Sequence, residues 1–188
     1  MKNFFKRKKD EEELKYDPTN MHVTQLAKGF FVDFTMESYE VHEEYEYEWE
    51  DGLIGKELQL FNGTKKLYLY METDDDLELS IAEKIKLSAI DVNLARYIME
   101  DDEPPAELEY QGVKYFLQKE RLGHCHKKGT KKEDADALIS WEFVDEFDTS
   151  VLTIERWGEK EFEAAIGENV REIEFSNIIP KFDEEDKK

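Results

Sequence analysis

The chain has 188 residues and a formal net charge of −21, with 39% hydrophobic and 13% aromatic residues. Its negative field repels nucleic-acid phosphate, which argues against a nucleic-acid partner, and no apolar run reaches the ~20 residues that cross a bilayer as a helix. The aromatic content argues against disorder over most of the chain, and a single cysteine, Cys125, admits no intrachain disulfide, which suits a cytoplasmic protein.

Residues 1–20 read as a flexible tail, basic and then acidic. Phe4, Phe5, Lys6, Arg7, Lys8 and Lys9 are the residues expected to make weak peripheral contact with an anionic membrane face, cations on headgroups and rings inserted. A solubilising tail is the other reading. Residues 21–87 read as a first β unit. Phe30–Phe34 is a short β-prone run. Ser38–Asp51, SYEVHEEYEYEWED, alternates, with Tyr39, Val41, Tyr45, Tyr47 and Trp49 on one parity and mostly glutamates on the other. Leu58–Phe61 and Leu67–Met71 flank Asn62-Gly63, a pair suited to the positive φ angles of a hairpin turn. Leu77–Ile85 alternates again.

Residues 88–106 change period. Ile90, Leu94, Tyr97 and Ile98 recur at helical spacing, which predicts a short connecting helix opened near Asp91 and ended by Pro104-Pro105. Residues 107–180 return to β signals as a second unit. Tyr115–Gln118, Leu138–Val144, Val151–Trp157, Glu161–Ile166 and Arg171–Phe175 read as strands, and Arg121–Asp136 as a polar loop. Residues 181–188 form a charged tail.

The two β units resemble each other. LQLFNGTKKLYLYME (58–72) lies over WEFVDEFDTSVLTIE (141–155) at an offset of 83, LELSIAEKI (77–85) over FEAAIGENV (162–170) at 85, and SYEV (38–41) over KYFL (114–117). The expected fold is mainly β: two related antiparallel β half-units, small sheets or half-barrels, packed together with a short connecting helix. The acidic arm of the first unit has a basic segment, LQKERLGHCHKKGTKKE, in its place in the second. That contrast suits complementarity within the chain or head-to-tail association between copies.

Glu44, Glu46, Glu48 and Glu50 share one strand face and are candidates to contact a cation, a polyamine or a lysine-rich partner; a solvated strand face is the plain alternative. A linear row is poorly shaped for Ca²⁺ or Mg²⁺, whose oxygens converge on a point. His124 and His126 flank Cys125 and are weak metal candidates, because a structural zinc site takes four ligands. Trp141, Glu142 and Trp157 are candidate groove residues, with core packing as the alternative for both tryptophans. No catalytic residue or cofactor site is assigned: no Gly-x-Ser-x-Gly, paired Cys–His or dinucleotide fingerprint is present.

One string is more specific than these patterns. Ser140-Trp141-Glu142-Phe143, then Leu152–Gly158, then Phe162-Glu163-Ala164 and Ile166-Gly167, together with Gly29–Asp33 and Ser38–Val41, resembles the bacterial family domain of unknown function 4178 over about Met21 to Pro180. The chain departs from it at Gly55-Lys56-Glu57-Leu58, where the family places a tryptophan before its glutamate. The resemblance implies no activity. It implies a setting near polyamine synthesis and membrane-stress proteins. The expectation is therefore a non-enzymatic cytoplasmic binding or scaffolding module, acting with a protein partner at the membrane face. A polyamine or cation binder using strand 40–50 is the alternative, and an uncharacterised enzyme the third.

Overall fold

The computed structural model describes residues 21–180; the tail residues expected to touch a membrane, Phe4 to Lys9, lie outside them. The alternating segments form β1 (Phe31–Phe34), β2 (Glu37–Trp49), β3 (Ile54–Phe61), β4 (Lys66–Thr73) and β5 (Leu77–Ile85). After a helix, α1 (Leu94–Asp101), come β6 (Glu107–Tyr110), β7 (Val113–Lys127), β8 (Asp136–Asp145), β9 (Val151–Trp157), β10 (Glu161–Asn169) and β11 (Phe175–Ile179). Among the described residues no helix is long and apolar enough to cross a membrane.

Among the described residues the fold is mainly β, with a closed antiparallel barrel of eight strands in the order β2-β3-β4-β5-β10-β9-β8-β7, three extra strands and one short helix. Two seams close it. β5 meets β10 with Ala82 opposite Gly167, and β2 meets β7 from Tyr45 opposite Lys127 to Trp49 opposite Gly123. The first seam is tight: a Cβ on Gly167 would stand 2.2 Å from the Ile81 carbonyl oxygen. The Asn62-Gly63 turn forms as expected, with Gly63 at φ 97° and the Asn62 Oδ1 accepting from the amides of Thr64 and Lys65.

Several elements depart from the sequence reading. The polar run from Arg121 is not a loop up to Asp136; it continues β7 as far as Lys127. Residues 172–174 form a 3-10 turn, and the strand that follows is β11, which pairs with β1. The helix is shorter than predicted, with Asn93 at its N-cap. The registers also move the internal alignment. Leu58 faces Leu69 and Trp141 faces Ile154, so with Leu58 laid on Trp141 the next strand aligns at an offset of 85 rather than 83.

The barrel is apolar outside and polar inside. Leu58, Leu60, Leu67, Leu69, Met71, Leu79 and Ile81 point out of the wall into one core, covered by Val32, Phe34 and Phe175 of β1 and β11. Trp141, Phe143, Leu152, Ile154 and Ala164 point out into a second core, covered by Leu94 and Ile98 of α1 and Leu108 of β6. Val170, Phe175 and Ile178 belong to the first core, so residues 107–180 contribute to both cores. Alternation then forces the other parity of every wall strand into the lumen.

Candidate functional site

An inner cavity of about 90 Å³ is lined by side chains from all eight barrel strands, among them Glu57, Tyr70, Lys84, Arg121, Glu142 and Glu155. It shares Tyr47, Glu57, Tyr68, Lys84 and Glu163 with an open cleft of about 980 Å³ at one end. The cleft is bordered by Lys127, Thr130 and Asp134 and by the β9–β10 turn at Gly158–Lys160. An eight-stranded barrel has room for filling side chains or one small ligand. Rings cluster in this interior: Tyr47 lies against Trp49, Tyr70 and Trp157 at centroid distances of 5.4, 5.8 and 6.4 Å.

On one side of these rings Arg121 pairs with carboxylates, although its buried Nε has no hydrogen-bond partner among the described residues. Arg121 Nη1 donates to both oxygens of Glu72, at 3.1 and 2.9 Å, and Nη2 reaches Asp51 at 3.2 Å. The guanidinium lies 4.3 Å from the Trp49 ring centroid. Trp49 Nε1 donates to the Tyr70 hydroxyl, which donates to Glu72 at 2.6 Å. Burial, and then that bond, pushes the Tyr70 phenol up.

The open side is different. Glu57, Glu155 and Glu163 converge on Lys84. Lys84 pairs with Glu163 and lies 3.8 Å from Glu155. Burial, opposed by Lys84 and aided by Glu155 and Glu163, raises Glu57 to about 7. Burial likewise raises Glu155. Lys84 stays charged despite its burial because Glu57, Glu155 and Glu163 surround it. The buried Trp157 indole nitrogen at this end has no hydrogen-bond partner among the described residues.

The candidates read from the sequence fall in three places. Glu142 and Trp157 line the interior. Trp141 does not: it points out of the wall with no exposure, Nε1 donating to Glu120 at 2.9 Å, because the parity of β8 sends it to the outer core. The acidic row lies on the outer face, against the chain's own cations. Glu44 meets Lys56 at 3.2 Å and Lys128 at 3.7 Å, and Glu46 and Glu48 meet Lys132. Glu50 lies beyond the end of β2 and is exposed. Across the β2–β7 seam His126 faces Glu46 and His124 faces Glu48, and ligand atoms of Glu46, Glu48 and His126 come within 4.8 Å of one another. Cys125 points inward instead. Sequence reasoning missed Glu57, Lys84 and Glu155, whose only signal is charge on the lumen parity of a wall strand.

Burial pushes the Cys125 thiol up to about 12, so it is protonated near neutral pH and no nucleophile. Its alkylation by iodoacetamide at pH 8 is expected to be more than tenfold slower in folded than in urea-unfolded protein, followed by mass spectrometry. Equal rates would mean that the thiol is accessible.

No solved structure matches the chain at a significant level. An uncharacterized protein of Aquifex aeolicus (strain VF5) is 24% identical over 174 residues, covering 92% of this chain and 93% of that one. A family model described as Domain of unknown function (DUF4178) matches residues 27–172, and the chain belongs to that family.

Proposed function

We propose that this protein is a non-enzymatic binding module whose barrel interior takes a small organic cation, with a linear diamine or polyamine as the best fit. The observation that carries this reading is the arrangement at the open end, where the buried Glu57 and Glu155 and the half-exposed Glu163 converge on Lys84. Buried charge without a partner is costly, and a ligand ammonium supplies the partner. Tyr47, Tyr68 and Trp157 at the same end offer ring faces to a cation and apolar wall to a methylene chain. The cation reading thus moves from the outer row of Glu44, Glu46 and Glu48, which the chain's own lysines cover, to the interior. A cytoplasmic setting and a protein partner belong to the same proposal. So does descent of the barrel from two related half-units: bulges between Val41 and Glu43 and between Leu117 and Lys119 support it by occupying matching places in β2 and β7.

Calorimetry and thermal unfolding with putrescine and spermidine, at fixed ionic strength and with Mg²⁺ as control, test the reading. A ligand at 100 times its Kd stabilises by about 2.7 kcal/mol, worth roughly 5–10 °C in a chain of this size. Glu57→Gln with Glu155→Gln removes the shift, and Glu48→Gln on the outer face leaves it. No shift with any amine sinks the proposal.

A further inference from the structure

The structure joins two sequence candidates that were separate. The acidic row of β2 and the His-x-His of β7 are neighbours across the seam that closes the barrel, Glu46 opposite His126 and Glu48 opposite His124. Residues opposite one another in an antiparallel pair have Cβ atoms about 5 Å apart, and residues two along a strand about 7 Å. Two adjacent pairs on one face therefore make a small square of four side chains. Three of the four already converge, with ligand atoms of Glu46, Glu48 and His126 within 4.8 Å.

The His126 side chain gives the square its direction. It is 7% exposed, and its Nε2 is 3.9 Å from the Glu46 carboxylate. A buried imidazole nitrogen and a carboxylate oxygen held close together are both zinc ligands. The Lys132 ammonium, on a side chain 67% exposed, pairs with Glu46 and Glu48, where it stands in for a cation.

We propose that Glu46, Glu48, His124 and His126 form a site for a divalent transition metal, with Zn²⁺ the best fit. Two imidazoles and two carboxylates are a four-ligand set for zinc, and imidazole is a poor ligand for Ca²⁺ and Mg²⁺. His124 completes the set by turning on its strand toward Glu48. Lys132 swings out on its flexible stem when the metal enters. Because two ligands come from β2 and two from β7, the ion clamps the seam. It thereby fixes the start of the Lys127–Asp136 segment that borders the interior cleft.

The test is titration of the metal-stripped full chain with Zn²⁺ and Co²⁺, read by calorimetry, Co²⁺ absorption and thermal unfolding. Zn²⁺ is expected to bind one per chain and raise Tm by several degrees, with EDTA reversing it and Ca²⁺ and Mg²⁺ giving no shift. His126→Asn and, on the more exposed side, Glu48→Gln each weaken binding at least tenfold. Lys132→Ala tightens it several-fold, because it removes the competing cation; a merely structural lysine would not do so. Zn²⁺ binding left unchanged by His126→Asn and Glu48→Gln, or no binding at all, overturns the proposal.

Discussion

Replacing Arg121 by methionine is expected to cost about 3–5 kcal/mol, the range for removing one partner of a buried ion pair. Its partner Glu72 is 4% exposed, and it would keep one hydrogen bond, from Tyr70, where it now has three. The loss is one of uncompensated charge more than of attraction, so the companion variants should differ in a set order. Glu72→Gln costs less, because Arg121 retains Asp51 at 3.2 Å and the Trp49 ring at 4.3 Å. Arg121→Met combined with Glu72→Met recovers most of the single-variant loss, since both charges are then gone. Urea unfolding with an unchanged m value reads all three. A single Arg121 variant within 1 kcal/mol of the parent would mean that water reaches Glu72 and that the two ends of the interior are not electrically different.

Why the interior was hidden follows from two β-bulges. A strict period of two puts Tyr39, Val41, Tyr45, Tyr47 and Trp49 on one face. In β2 the register slips between Val41 and Glu43, and the faces exchange. Tyr39 and Val41 then enter the outer core, whereas Tyr47 and Trp49 point inward. β7 slips between Leu117 and Lys119, which turns Arg121 and Cys125 into the barrel while Tyr115 stays in the second outer core. β7 also lacked the apolar stripe that marks a strand, because its far half is polar on both faces: one lines a charged lumen, the other meets the acidic strand. The apolar parity of β3, β4, β8 and β9 was legible, as was the hairpin at Asn62-Gly63. What alternation alone leaves open is which side of the wall is the lumen. The usual reading of polar-out would have made Glu57, Glu72 and Glu155 surface residues. They are interior because β1, β11, β6 and α1 cover the outside of the barrel.

That inverted wall has a consequence for stability against pH. Glu57 holds its proton in the fold up to about pH 7, against 4.5 for an ordinary glutamate, because burial and the Glu155 and Glu163 carboxylates disfavour its charge. Between those values the folded chain binds more protons at this site than the unfolded chain. Its contribution to stability is therefore largest at low pH and is lost as pH rises from about 4.5 to 7. At 1.36 kcal/mol per unit, and with water at the open end screening part of the effect, the loss is on the order of 2 kcal/mol. Glu155, also raised by burial, acts in the same direction. Glu57→Gln removes the Glu57 part, so the variant should gain on the parent progressively across this window and hold a constant margin above it. Parallel curves for the two proteins from pH 4.5 to 8 would exclude the buried proton. The same proton reports on the ligand. A cation entering beside Glu57 favours the ionised carboxylate, so binding near pH 6 should release protons. The observed heat would then depend on the ionisation enthalpy of the buffer, and that dependence should fall in Glu57→Gln, with the remainder and some affinity carried by Glu155.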